Sequence, residues 1–169
     1  QVSVDLSLTN RTVDLVEEGF DVAFRTGELP DSGLTARSLG PHQLVVCASP
    51  EYIASRGRPR NPEDLQRHEC LVFSLTTLKS QWIFDGPDGR RITVNISGRF
   101  STDSGEALRA AALAGTGIIM QPKVLLQEDI ETGRLVRLLA KYEPRSRPLN
   151  AVFAPDKRMT PKLRSFLDT

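Results

Sequence analysis

The sequence predicts an α/β fold. Three observations carry this expectation. Short apolar runs alternate with capped helical segments along all 169 residues, as in folds that layer helices on sheets. A strand, a helix and a second strand fit within about 25 residues near the start, the pattern of a right-handed parallel βαβ unit. Residues 101–122 (STDSGEALRAAALAGTGIIMQP) read as a polar loop, a helix, a Gly-x-Gly turn and a buried strand.

Residues 2–8 alternate Val2, Val4, Leu6 and Leu8 with polar neighbours, so one face is wet. That suits a sheet edge, or a strand awaiting a partner. Asn10 is placed to cap a helix in which Val13 and Val16 pack inward and Gly19 ends the run. Residues 20–24 (FDVAF) return as a strand. Arg25, Thr26 and Gly27 then fall at its carboxyl end, where open α/β sheets hold ligands, followed by a turn-rich loop at 28–33. Residues 34–39 and 44–48 are strand candidates split by Gly40 and Pro41.

Ser49-Pro50-Glu51 and Asn61-Pro62-Glu63-Asp64 each open a helix with a side-chain cap and an early proline. Between them, 56–60 (RGRPR) reads as a solvated basic loop, with phosphate binding as the alternative. Residues 70–75 read as a strand. A hairpin follows over 81–102, turning at Pro87-Asp88-Gly89. In the next helix Asp103 is the expected cap and Glu106 completes a capping box. Ala107, Ala111 and Ala114 mark a shallow face, Gly115 the stop, and Gly117 a second tight turn. Residues 118–120 form an apolar run suited to a parallel sheet. A helix over 122–132 stops at Gly133, strands follow at 135–139 and 149–153, a polar connector spans 143–148, and Thr160-Pro161 begins a closing helix.

The chain is long enough to bury about 70% of its unfolded surface. Hydrophobic residues at 39% and charged residues at 25% describe a globular protein, and a net charge of +1 gives no electrostatic case for nucleic acid. No apolar run reaches the ~20 residues that cross a bilayer. Cys47 and Cys70 sit in apolar runs and are expected as buried, reduced thiols. The chain opens on a strand without a lead-in, and this reads as a piece of something longer.

No catalytic set is visible. His42 and His68 lack metal-ligand spacing, and no nucleophile elbow or Walker loop occurs. Gly115-Thr116-Gly117 follows a helix, the reverse of a dinucleotide fingerprint. The expectation is a binding domain and not an enzyme, with no cofactor and no metal. Arg25 can fork onto a carboxylate, or else pair with Glu28 or Asp31. Thr26 and Thr102 offer hydroxyls, or cap local turns. The amides opening the helix after Ser104 can hold a small ligand, or belong to ordinary helix-to-strand architecture.

Residues 13–71 (VDLVEEGFDVAFRTGELPDSGLTARSLGPHQLVVCASPEYIASRGRPRNPEDLQRHECL), 105–122 and 129–139 (DIETGRLVRLL) together resemble the effector-binding domain of LysR-type transcriptional regulators. The resemblance implies a type 2 periplasmic-binding-protein-like fold: two α/β subdomains joined by two crossing strands, near 44–48 and 149–154, with an effector cleft between. Subdomain I is then 1–44 with 153–169, and subdomain II is 45–152. The resemblance places Arg25, Thr26 and Gly27 opposite Thr102, Asp103 and Ser104 as ligand-binding residues.

The same resemblance implies that the winged helix-turn-helix that reads DNA precedes this stretch, as do the first strand and helix of subdomain I. It implies a cytoplasmic regulator whose effector domains pair antiparallel and assemble further, to a tetramer, without membrane contact. Residues 2–8 are the first candidate for that self-contact and the exposed side of the 122–132 helix the second. The family often has Asn where this chain has Asp103. A carboxylate there, backed by Glu106, disfavours an anion, so the small-molecule effector is expected to be neutral or to carry a cationic group, unless Arg25 outweighs the acids. A solute-binding protein of a transporter is the alternative reading.

Overall fold

The computed structural model describes residues 3–9, 11, 13–27, 29, 33–75, 80–154 and 161–167, with 161, 162 and 167 as backbone only. In chain order the elements are β1 (Ala23–Thr26), β2 (Thr35–His42), β3 (Leu44–Ala48), α1 (Pro50–Arg56), a 3-10 helix (Pro62–Arg67) and β4 (Val72–Phe73). The hairpin strands β5 (Gln81–Asp85) and β6 (Arg91–Asn95), β7 (Ser101–Thr102), α2 (Gly105–Leu113) and β8 (Ile119–Pro122) follow. Then come α3 (Lys123–Glu131), β9 (Val136–Leu138), β10 (Glu143–Pro144), β11 (Arg147–Phe153) and α4 (Pro161–Leu167). Two compact units result: Gln1–His42 with Arg147–Thr169, and Gln43–Ser146.

In the first unit β11 lies between β1 and β2, antiparallel to both. Flanked on both edges, it buries four consecutive residues, Asn150, Ala151, Val152 and Phe153. The expected parallel βαβ unit is not found among the described residues, because β1 pairs antiparallel with β11. The segment expected as its helix is instead a turn over 15–19. The Asp14 carboxylate accepts the backbone N–H groups of Val16 (2.9 Å) and Glu17 (3.1 Å), a local bond that competes with helix. Leu15 is buried but Val16 is 63% exposed, and one inward residue per turn cannot seat an amphipathic helix. Asn10, its expected cap, lies outside the described residues.

Residues 3–9 form no strand in the described structure, and all are exposed. The alternating pattern is present, but strand geometry needs a ladder partner. β2 continues through Gly40 and Pro41 to His42, where the sequence suggested a break. Gly40 sits at φ 113° beside a register shift at Leu149/Asn150 that absorbs the irregularity.

The second unit is organised on β3, paired antiparallel with β8 and β9. Its side chains alternate between two apolar clusters, as strand geometry requires. Val46 and Ala48 join Tyr52, Leu65, Trp82, Phe84 and Val94. Val45 and Cys47 join Leu108, Ala112, Leu126 and Leu135. The parallel setting expected for 118–120 holds only at Ile118, which bridges Cys70 in parallel; from Ile119 on, β8 is antiparallel to β3. The helix caps at Ser49 and Asn61 form as expected. Ser49 Oγ accepts from Tyr52 N–H (3.2 Å), and Asn61 with Asp64 makes a capping box.

Residues 69–74 run against 97–102 and 117–118. Cys70 N–H donates to Ser97 O (3.0 Å), Leu71 N–H to Ile118 O (2.8 Å) and Ile118 N–H to Glu69 O (2.8 Å). Gly117 serves this close approach and not a tight turn, since a Cβ there would lie 2.6 Å from Glu69 O. The strand expected over 70–75 is confined to β4, parallel to β7. Cys47 and Cys70 are free and buried, and burial pushes both thiols up to about 12. The folded protein is therefore expected to leave both unreactive toward a thiol-titrating reagent at pH 8, and to expose two thiols on denaturation. Fast reaction of either in the native state would contradict that burial.

Candidate functional site

The sequence placed Arg25 and Thr26 beyond their strand. The structure puts both inside it, because β1 starts only at Ala23. Arg25 faces Asn150 in the β1–β11 register and is half-buried. Its Nη2 donates to the Val13 carbonyl (2.8 Å), which ties the guanidinium to the preceding turn. Glu28 and Asp31, its other suggested partners, lie outside the described residues. Thr26 is exposed.

Gly27 is the junction that shapes this end of the sheet. It sits at φ 100°, where a side chain is strained. Its N–H donates to Pro148 O (2.9 Å), and its carbonyl accepts from Asn150 Nδ2 (3.2 Å). Asn150 was not read as a site residue. Its signal was a single amide inside the apolar run LNAVF, and it is 8% exposed.

In the second unit Thr102 closes β7, where its carbonyl accepts from Ser74 N–H (2.9 Å). Ser104 N–H donates to Thr102 Oγ1 (3.2 Å), and Ser104 Oγ accepts from Ala107 N–H (3.2 Å). Ser104, not Asp103, is thus the cap of α2. The helix starts one residue later than the capping-box spacing suggested. Glu106 falls in the first turn and turns to Arg109 (Nη1–Oε2 3.4 Å) instead of reaching back. The Ser104 hydroxyl keeps a proton to donate, beside the first amides of α2. Asp103 is exposed on the same corner.

Behind this corner, Gly105 packs closely enough that a Cβ would lie 3.1 Å from Gln121 Oε1. The buried face of α2 is Leu108 and Ala112, while Ala114, expected on the shallow face, is exposed. Asp129 of α3 is fully buried and binds two guanidiniums, Arg109 Nη2 at 3.0 Å and Arg134 Nη2 at 2.7 Å. The hydrogen bond from Arg109 holds this carboxyl below the usual carboxylate range. This network locks α2 against α3 and fixes the direction of the amides that open α2. Nothing in the residue spacing distinguished it from ordinary surface charge. Among the described residues no group of three or more His, Cys, Asp or Glu is arranged to hold a metal ion. No helix among them is long and apolar enough to cross a membrane.

Mixed antiparallel sheets in two units, with polar corners after β1 and β7, belong to the α/β class of type 2 periplasmic-binding-protein-like regulatory domains. A family model described as the LysR substrate binding domain matches residues 1–169, and the chain belongs to that family.

Among relatives, the HTH-type transcriptional regulator CrgA of Neisseria meningitidis serogroup B is 40% identical over 157 residues, covering 92% of this chain and 52% of CrgA. The HTH-type transcriptional activator AaeR of Escherichia coli is 31% identical over 168 residues, 99% of this chain and 54% of AaeR. The solved CrgA regulatory domain superposes with a TM-score of 0.77 at 40% identity, covering 90% of this chain and 74% of that one. Full-length AphB, a virulence activator of Vibrio cholerae, superposes with a TM-score of 0.80 at 30% identity, over 97% of this chain and 55% of AphB. The chain spans about half the length of the curated relatives it matches. These relatives are transcriptional regulators, which supports a regulatory role over that of a transporter's solute-binding protein.

Proposed function

We propose that this chain senses a small effector for a cytoplasmic LysR-type regulator, and that it is not itself an enzyme. The effector contacts are Arg25, Thr26 and Gly27 from the first unit and Thr102, Asp103 and Ser104 from the second. The observation that carries this reading is the family match over the whole chain. The local chemistry supports it: a half-buried guanidinium on β1 in the first unit, and a capped helix start with a hydroxyl proton to donate in the second. The two sets act on one ligand if they form the two walls of the family's effector cleft.

Occupancy then shifts an equilibrium between two states that hold promoter DNA differently, through a winged helix-turn-helix elsewhere in the protein. Moving such an equilibrium from 1:99 to 99:1 takes about 5.5 kcal/mol of differential affinity, within the ~8 kcal/mol of a micromolar ligand. Self-association, antiparallel and extending to a tetramer, completes the reading. The exposed Val4, Leu6 and Leu8 and the exposed Val124 of α3 supply apolar surface for it.

The effector is neutral or cation-bearing, because Asp103 sits at the helix start that otherwise attracts anions. Ligand carried through purification of the intact protein and identified by mass spectrometry supplies the compound. Titration with its acid and matched amide forms then tests the charge preference. The expected outcome is tighter binding of the amide, with the gap narrowing in Asp103→Asn. A clear preference for the acid in the wild type would overturn it.

A further inference from the structure

The second unit contains a cavity of about 550 Å³ that none of the six effector candidates lines. Its walls carry Tyr52, Arg56, Arg67, His68, Glu69 and Arg99, among others. Arg56 ends α1 and is the first residue of the RGRPR run, which the effector reading leaves unused. Arg67 and His68 close the 3-10 helix. Arg99 comes from the stretch between β6 and β7 that lies against 69–74. Gly98 permits that approach, since a Cβ there would meet the Cys70 carbonyl.

The charges on these walls do not balance. Three guanidiniums face one carboxylate, Glu69, which is already engaged by Arg99 through its backbone N–H and its Nε at 3.6 Å. Among the described residues the side chains of Arg56 and Arg67 make no hydrogen bond. Asp64, the acid whose titration senses Arg67, has its carboxylate bound by the backbone N–H groups of Arg60 and Asn61. Arg56 and Arg67 are both exposed, so two positive charges without a bonded anion border one open concave space of ligand size.

A histidine stands beside them, tied to the phenol of Tyr52. Glu69 N–H donates to Tyr52 Oη (2.9 Å), and the same oxygen shares a hydrogen bond with His68 Nδ1 (3.2 Å). With Nδ1 engaged by the phenol, Nε2 is the ring nitrogen open to another partner. Burial is the main cause that favours the neutral ring, opposed by the Asp64 charge and aided by that of Arg56.

We propose that this cavity is a second small-molecule site, for a small polyanion held by Arg56 and Arg67 with the His68 ring beside them. Phosphate-bearing and polycarboxylate compounds share the chemistry the walls recognise. An anion is the charge class that the effector site disfavours, so the two sites answer different signals.

The test titrates the full chain with inorganic phosphate and, separately, with citrate, at constant ionic strength held with sodium chloride. Amide NMR shifts and thermal unfolding are the readouts. At least one probe is expected to move the resonances of Glu69, Arg99 and Thr116 and to raise the melting temperature. The preferred probe distinguishes a phosphate from a polycarboxylate ligand. Arg56→Gln with Arg67→Gln is expected to weaken binding at least about tenfold. Arg60→Gln, a neighbouring exposed charge, is expected to leave it within about twofold. Shifts no larger than chloride produces for both probes, or equal affinity in the double variant, would overturn the proposal. Effector binding at Arg25 and Ser104 is untouched by either outcome.

Discussion

Gly98→Ala is expected to unfold the second unit or to cost it about 4 kcal/mol or more. A Cβ at this position would overlap the Cys70 carbonyl oxygen and sit 2.8 Å from its carbon. The obstacle is backbone, and it is held from both sides. Cys70 N–H is bonded to Ser97 O, and Leu71 N–H to Ile118 O, so 69–71 cannot retreat without breaking hydrogen bonds. Gly133 supplies the contrast. It has φ 73° at the end of α3, and a Cβ added there would meet nothing within 4 Å. Gly133→Ala is expected to cost about 1 kcal/mol, from backbone conformation alone. Urea unfolding of both variants checks the pair, and equal costs would contradict the packing argument.

Asp129→Ala is expected to destabilise the protein by about 3 kcal/mol. The substitution removes a fully buried carboxylate and leaves Arg109 and Arg134 without their shared partner, although both reach partly into solvent. The effect has a pH signature. Hydrogen bonding from Arg109 depresses the folded-state pKa of Asp129. The ionised carboxylate therefore stabilises the fold fully above its unfolded pKa, near 4. That contribution is lost as pH falls through the lower folded value. The stability gap between wild type and Asp129→Asn is expected to be constant at neutral pH and to shrink below about pH 4. A gap independent of pH through that range would show that the charge does not matter.

What the sequence disclosed follows the range over which each signal acts. Ser49, Asn61 and the Pro87-Asp88-Gly89 turn depend on bonds within a few residues, and all formed where expected. Among the described residues the parallel βαβ unit did not form, because strand direction depends on β11, more than a hundred residues away from β1. At α2 the composition pointed to a cap, but Asp103 and Ser104 are adjacent and both can serve. The bond from Ser104 N–H to Thr102 Oγ1 accompanies the later start. Asn150 and Asp129 escaped notice for one reason: a buried polar residue looks like a surface residue until its partners are known. Gly98 gave no signal either, since only the neighbouring strand reveals why a Cβ is excluded there.

The central claim is that Arg25 and the Thr102–Ser104 corner serve one effector. A crystal structure of the intact protein with its co-purified small molecule tests it most directly. The account predicts a ligand within hydrogen-bond distance of the Arg25 or Thr26 side chain and also of Ser104 Oγ or the first amides of α2. A ligand that touches one set alone, or lies elsewhere while the other set faces solvent, would contradict it.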